Sequence, residues 1–452
     1  MTPFRAIALL RAACRKCWNP AGVLLVVGLP LGLFFSFAQP AWFGNDESIH
    51  FARTWQIAGG DLTETKTPSG LSSEVPVEFL EDLRLVTISY ATHWGPSFDR
   101  HSDILWHRAD SGDTELFETW RSDISSPLPY LPAALAVAPL RVLGAPAYWQ
   151  LVAGRLACLA AYLGLALAAV RFATRWRWAI AGLALFPPLI VQGATLGYDA
   201  VTLGGVFLLM GISAGLREVT DRRAGALLVL VGLLLALSKP PYYLLLFPIA
   251  VGLVVQRRVL PAIATLLPLG LGMFWSQVLS PDFVGSVKEF DRDVVYDAGL
   301  QWARLLDDPV GFGWHGLART VLAIPTDHLP NWIPGVQLSA AAWIGLGVTM
   351  IVALGADDGP RTHGERFTAL FATCIVCSAI LVAEYLYFTE PSVAASRSAF
   401  ELNKIQWRYL APLLGPLLIA SPRMPRISAT TGLPLAVAGS ISVAGSYVIA
   451  LS

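Results

Sequence analysis

Long apolar runs separated by polar connections set the rhythm of this chain. They lie near residues 21–39, 149–171, 177–192, 199–216, 224–238, 241–255, 259–279, 336–355, 367–388, 405–421 and 429–450. Each is about 15 to 23 residues long, and a helix rising about 1.5 Å per residue needs roughly that length to cross a hydrocarbon core. The pattern predicts eleven membrane helices. Residues 128–143 are also apolar, but Pro127, Pro129, Pro132 and Pro139 interrupt them. Proline removes a backbone donor and kinks helices, so this segment reads as interfacial or re-entrant. Two long connections remain, at residues 40–127 and 280–335. Neither shows strand alternation. The first holds helical-looking pieces at residues 45–58 and in "SSEVPVEFLEDLR", whose acids come early and whose arginine comes late. No internal repeat is visible, which counts against an inverted-repeat transporter. The expected fold is an all-α integral membrane protein, one transmembrane domain over residues 1–452.

Composition agrees. Of 452 residues 55% are hydrophobic and only 14% charged, and there are fifteen tryptophans. Soluble domains carry about a quarter charged residues, and tryptophan favours bilayer interfaces. No basic tract suggests nucleic acid. The first apolar run, from Ala21 to Ala38, is followed by "FFSFAQPAW", a poor cleavage site, and is read as a retained helix. Cys14 and Cys17 form one close pair and Cys374 and Cys377 another. Structural zinc usually takes four ligands, so these read as free thiols on the reduced or lipid-embedded side.

Charge then orients the chain. With residues 128–143 not crossing and the N-terminus inside, six regions face the cytoplasm. They hold Arg5, Arg11, Arg15 and Lys16; Arg171, Arg175 and Arg177; Arg217, Arg222 and Arg223; Arg257 and Arg258; Arg361 and Arg366; and Arg423 and Arg426. That is 16 of the 32 basic residues. A crossing at 128–143 would throw all but the first group outside, against the positive-inside rule. Loops 40–127 and 280–335 then face outward, with 15 acidic against 6 basic residues and 8 against 4.

In this topology costly polar residues gather at the outer membrane surface. Asp46, Glu47, His50 and Arg53 follow the first helix. Arg155 lies about two turns into the second. Tyr198 and Asp199 open the fourth, Lys239 follows the fifth, Glu384 nears the outer end of the ninth, and Arg408 and Tyr409 begin the tenth. Ionisable groups at membrane depth usually face a cavity or a partner. If residues 45–58 are helical, Asn45 is a natural N-cap with two acids in the first turn. Asp46, His50, Arg53 and Ile57 then share one stripe, with Glu47 and Thr54 beside it. A cap needs no histidine and arginine beneath the acid, and a carboxylate beside a cation stays ionised, as a general base or metal ligand requires. The cluster "HWGPSFDRHSDILWH", His93 to His107, matches no zinc spacing and reads as a solvated loop.

"FGNDESIHFARTWQIAGG", Phe43 to Gly60, resembles the P-x-D-E-x-x-H-x-x-R signature of the DUF2142 family of prokaryotic membrane proteins, which groups with the GT-C glycosyltransferases. Four further stretches are similar to that family's motifs in the same order: "SPLPYLP" (126–132), "GYDA" (197–200), "SKPPYY" (238–243) and "IQWRYLAPL" (405–413). Gly44-Asn45 stand in place of the proline before Asp46, and Trp407 in place of the glycine before Arg408.

The resemblance implies a GT-C-like fold with a long first extracytoplasmic loop. It implies an inverting transferase that takes a sugar from a polyprenyl-phosphate carrier. The acceptor would be an envelope glycan or lipid, and the enzyme would sit in the bacterial cytoplasmic (inner) membrane. A first-loop carboxylate acts as base or metal ligand in such enzymes, and a second acid comes from the next outer turn. Asp46 and Asp199 occupy those places. Such transfer needs a base, cations for the departing phosphate and a groove for the lipid tail. Asp46 is assigned as base with Glu47 as second candidate, and Glu47 is equally readable as a good first-turn residue. His50 is expected at Asp46 or substrate. Arg155, Lys239 and Arg408 are the phosphate-binding candidates. Tyr198 is placed with the substrate-binding residues, and Tyr409 supports Arg408. Asp199 orients hydroxyls or pairs with Lys239, and Arg53 joins the site or neutralises the acids. Asp46, Glu47 and Asp199 supply oxygen donors suited to Mg²⁺ or Mn²⁺. Expected partners are the donor, the acceptor and membrane lipids. A lipid-linked glycan flippase would want charges at the bilayer midplane, and a non-catalytic assembly subunit would tolerate Asp46→Asn.

Overall fold

The computed structural model describes residues 19–42, 44, 46–63, 65–67, 70–81, 83, 113–119, 126–275, 286–289, 292–295, 297–319, 362–388, 407–420, 442 and 445. The apolar run at 336–355, the run at 429–450 apart from 442 and 445, the His93–His107 cluster, Asn45, Cys14 and Cys17 lie outside these residues.

Helix α1 is Pro20–Ala38. Asn19 caps it by accepting from the Gly22 amide at 2.9 Å, and Pro20 takes the first-turn position where no donor is needed. Leu24–Gly28 within it is π-helical. After a turn, α2 spans Glu47–Ala58. Strands β1 (Thr65–Thr67), β2 (Gly70–Pro76) and β3 (Thr114–Glu118) then form an antiparallel sheet, with Thr65 opposite Ser72 and Ser72 opposite Glu118. This corrects the purely helical class and the reading of "SSEVPVEFLEDLR": Ser72 to Pro76 are strand, and helix starts only at Val77. The physical reason is local. Ser72 and Ser73 are both buried, and Ser73 donates to the Gln56 side chain at 3.1 Å. Burial of the adjacent serines on both faces, ahead of a buried Val75, leaves no apolar alternation to read.

Helix α3, Leu128–Val142, and helix α4, Ala147–Phe172, form a hairpin. It turns at Gly144, whose φ of 61° suits a residue without a Cβ, and it brings Val137 against Gly154. Tyr130 at the start of α3 and Arg155 in α4 both meet the first turns of α2. The expected helix 177–192 is two, α5 (Arg177–Ala184) and α6 (Pro187–Gly193), because Pro187 and Pro188 force Phe186 into extended backbone. Helix α7 (Asp199–Glu218) follows, then α8 (Asp221–Ser238), which Pro240 ends by making Lys239 extended (φ −151°, ψ 98°). Next come α9 (Pro241–Val255) and α10 (Val259–Phe274). A hairpin of β4 (Ser286–Glu289) and β5 (Arg292–Val295) precedes α11 (Ala298–Asp307). A short helical turn at Pro309–Gly311 and a π-helical stretch at Phe312–Ala318 come next, then helix α12 (His363–Phe388) and, after 3₁₀ turns at Trp407–Tyr409 and Ala411–Leu413, α13 (Leu414–Ala420).

Among the described residues α1, α4, α7 and α12 contain apolar stretches long enough to cross a membrane, and α3, α9, α10 and Ala411–Ala420 are shorter apolar helices. Leu25, Val26, Phe37, Val251, Val254 and Leu267 are exposed, as side chains facing lipid would be.

Helix α7 is the buried centre. It joins the core built on α1, α4, α5 and α6 to the one built on α8, α9 and α12. Helices α4 and α7 run parallel, since Cys158 faces Gly197, Leu165 faces Gly204 and Ala169 faces Gly211. A Cβ at Gly211 would lie 2.2 Å from the Ala169 carbonyl oxygen, so only glycine allows this approach. Gly211→Leu is expected to destabilise by about 1–3 kcal/mol or more through overpacking. Thermal unfolding of the detergent-purified variant checks it, and an unchanged melting temperature would refute close α4–α7 contact.

The ends of the bundle differ. Arg175 bonds Glu365, Thr174 bonds the Ala214 carbonyl, and Arg258 bonds Asp221 and the carbonyls of Leu216 and Val219. The basic connections after α4, α7, α9 and before α12 thus share one end. Asp46, Asp199, Lys239 and Arg408 share the other.

Candidate functional site

Four chain segments that follow or begin apolar helices bring their polar residues together here. Asp46 sits between α1 and α2 in left-handed backbone (φ 54°, ψ 24°) and makes no side-chain cap bond. The expected cap at Asn45 is thereby corrected: the residue before the helix is Asp46, and its carboxylate faces away from the helix it precedes. It is bonded to Arg408, whose second guanidinium nitrogen lies 3.5 Å from Asp199 at the start of α7. The Asp46 side chain is 40% exposed and Arg408 only 2%. The carboxylate is at the mouth and the cation beneath it. Burial works to raise the Asp46 carboxyl, but Arg408, His50 and Lys239 outweigh it and hold it below the usual carboxylate value.

Lys239 ends α8 in the break that its following prolines enforce. Its Nζ is buried and has no hydrogen-bond partner among the described residues. It lies 3.7 Å from the ring centre of Tyr409, 5.0 Å from Tyr198 and 5.9 Å from Tyr242. Aromatic faces attract an ammonium but accept none of its three protons in a conventional hydrogen bond. Tyr242 donates to the Tyr409 carbonyl and holds the 3₁₀ turn of Arg408 against α9. Ser126 donates its amide and hydroxyl to the Leu237 carbonyl, at 3.1 and 2.9 Å, and fixes the start of α3 beside Lys239. Glu384 of α12 is buried.

His50 stands one turn into α2. Its Nδ1 is 2.9 Å from the Tyr130 hydroxyl, and its ring meets Tyr198 edge-on at 4.7 Å. Gly197 leaves room for it, since a Cβ there would lie 3.0 Å from the imidazole. The other ring nitrogen, Nε2, is buried without a hydrogen-bond partner among the described residues. Burial first, then Arg408, pushes the imidazole down to about 4, so it is neutral at pH 7. Tyr130→Phe is expected to leave the fold intact and cost about 1 kcal/mol, the net worth of one buried hydrogen bond. A thermal shift above several degrees would contradict this limited role.

Three expected members stand elsewhere. Glu47 is fully buried. Arg155 reaches both its oxygens, Nε at 2.8 Å and Nη2 at 2.5 Å, and the amides of Leu196 and Gly44 also donate to it, at 3.1 and 3.4 Å. Arg155 spends its remaining protons on the carbonyls of Ser36, Gln39 and Pro40. All five donors of the guanidinium are engaged, so Arg155 is corrected from a phosphate ligand to a brace joining α1, α2 and α4. Arg53 is corrected as well. It is buried against Gln56 at 2.7 Å and the Leu62 carbonyl at 2.6 Å, and it holds the loop leaving α2. The cation set of Asp46, Glu47 and Asp199 does not fit Mg²⁺ or Mn²⁺ here. Glu47 is saturated by Arg155, and a guanidinium bridges the two aspartates. Among the described residues no group of three His, Cys, Asp or Glu is placed to hold a metal.

Tyr130 and Tyr242 belong to the cluster and were not among the expected site residues. Both stand inside quoted motifs, "SPLPYLP" and "SKPPYY". Weighing each aromatic beside a proline-broken helix end would have found them.

These features define a polytopic helical membrane protein with a buried polar cluster at one end of its bundle. The DUF2142 family profile, described as a predicted membrane protein, matches residues 29–417, and the chain belongs to that family. No curated protein and no solved structure matches it.

Proposed function

We propose that this protein is a GT-C-type membrane glycosyltransferase. In this reading it moves a sugar from a polyprenyl-phosphate donor to an envelope glycan or lipid acceptor. The observation that carries the reading is the layering of charge. A half-exposed carboxylate, Asp46, lies over a buried guanidinium, Arg408, and a buried ammonium, Lys239, that makes no hydrogen bond among the described residues. An anionic leaving group fits the two cations, and a neutral hydroxyl fits the carboxylate.

The donor phosphate binds Lys239 and Arg408, with Arg408 offering two parallel N–H groups. In doing so it competes with Asp46 for Arg408 and frees the carboxylate. The acceptor oxygen attacks the anomeric carbon from the face opposite the phosphate. The carbon–oxygen bond to phosphate breaks, and its electron pair stays on the phosphate. The acceptor proton passes to Asp46. Asp199 holds the far side of Arg408 in place. His50, neutral and oriented by Tyr130, has Nε2 available for a sugar or acceptor hydroxyl. Tyr198 and Tyr409 wall the ammonium.

The proposed topology has eleven crossings, a cytoplasmic N-terminus and an extracytoplasmic site in the bacterial inner membrane. The gathering of the basic connections at the opposite end of the bundle supports it. Cysteine labelling from outside should modify an introduced cysteine at Gly70 and miss one at Arg222.

The direct test compares envelope glycans of a deletion strain with those of the complemented strain. A missing sugar, restored by the wild-type gene, is the expected result. Unchanged glycan composition on deletion sinks the reading. Lys239→Gln is expected to raise the KM for donor about tenfold to a hundredfold, from loss of one charged hydrogen bond worth about 1.5–3 kcal/mol. An unaltered donor KM would remove Lys239 from the phosphate site.

A further inference from the structure

At the end of the bundle opposite Asp46 lies a cavity of about 300 Å³, large enough for part of a ligand. It runs between α7, α9, α12 and α13. Its depth is apolar, with Val206, Met210, Leu245, Ile249 and Ile419 among its walls. At about 1.5 Å rise per residue, Val206 lies about 16 Å deeper along α7 than Arg217 at the mouth. The mouth carries three guanidiniums, Arg175, Arg217 and Arg258, against one carboxylate, Glu365. Arg175 is held by Glu365, and Arg258 by Asp221 and two carbonyls. Arg217 is exposed and makes no hydrogen bond to any described residue. Gly252 lines the same space, and a Cβ there would meet nothing within 4 Å.

We propose that this cavity binds one anionic glycerophospholipid, with an acyl chain along α7 and its phosphodiester on Arg217. Apolar depth under a cationic rim is the complement of such a molecule, and juxtamembrane arginines attract anionic headgroups. The site is separate from the Asp46 cluster and stands whatever that cluster does.

Native mass spectrometry of the full chain tests it, after exchange into nanodiscs of equimolar phosphatidylglycerol and phosphatidylcholine. The wild type should retain one phosphatidylglycerol in preference to phosphatidylcholine. Arg217→Glu should weaken that retention about tenfold, by removing one favourable charge and adding an unfavourable one. Gly252→Phe should abolish it by filling the cavity, while improving local helix propensity and so preserving the fold. Equal retention of both lipids overturns the headgroup assignment. Undiminished retention by Gly252→Phe overturns the cavity assignment. Recovery of a polyprenyl phosphate instead of the glycerophospholipid overturns the choice of occupant.

Discussion

Asp46→Asn is expected to lower sugar transfer by about 10²–10⁴, the usual contribution of a positioned general base, while the protein folds and inserts normally. Asparagine is nearly isosteric and is at home in the left-handed backbone that residue 46 adopts. It keeps a hydrogen bond to Arg408 and loses only the proton-accepting charge. The pH dependence follows from the same pairing. Arg408, His50 and Lys239 hold the Asp46 carboxyl below its usual range despite burial. Its basic form therefore persists as pH falls, and kcat/KM declines only when pH drops through that lowered value. Arg408→Gln should shift this acidic limb upward, besides weakening donor binding. In vitro transfer from a synthetic polyprenyl-phosphate sugar measures both effects. Normal transfer by well-folded Asp46→Asn would rule out the base assignment.

Glu47 should behave in the opposite way. Glu47→Gln leaves the Arg155 charge buried without its counter-ion, at a cost of about 3–5 kcal/mol. Against a total stability of about 5–15 kcal/mol, much of the protein should fail to accumulate. Arg155→Met should fail similarly, because it strands the Glu47 carboxylate. The double variant Glu47→Gln with Arg155→Met removes both charges, and its loss should be smaller than the sum of the two single losses. Fluorescence-detected size exclusion of tagged variants reads this directly. A stable, monodisperse Glu47→Gln protein without transfer activity would return Glu47 to the catalytic residues. The two neighbouring acids of one motif thus separate into a half-exposed carboxylate at the cluster and a fully buried structural one.

That separation was not legible in the sequence. Adjacent acids at a predicted helix start look alike until their surroundings are known. Arg155 stands 108 residues from Glu47, and nothing in the spacing of either reveals that five donors meet three carbonyls and one carboxylate. The stripe of Asp46, His50 and Arg53 failed for a geometric reason. Asp46 precedes the helix rather than belonging to it, so helical angles do not govern its direction. Arg53, three residues beyond His50, turns toward the Gln56 side chain and the Leu62 carbonyl. The strands of the first loop were hidden because two adjacent buried positions of β2 are serines, ahead of a buried Val75. By contrast, most apolar runs within the described residues became helices, since their length and hydropathy leave few alternatives. The proline-broken motifs also came together as their shared polar character suggested. The prolines that marked "SKPPYY" as unusual are what stop α8 at Lys239.

Asp46 gives α2 its backbone carbonyl, which accepts from the His50 amide, but not its side chain. Most helices start on a side chain that satisfies their first amides, and here that bonding is absent. Under the proposed function, its side chain is therefore available for chemistry and not for capping. Glycine and asparagine, which suit its backbone, are the changes the architecture should bear best. Under the proposed function, a related chain with the surrounding motifs intact and either residue at this place is expected to assemble without transferring sugar. If the proposed base assignment holds, position 46 is the place where relatives that transfer sugar and relatives that do not should differ.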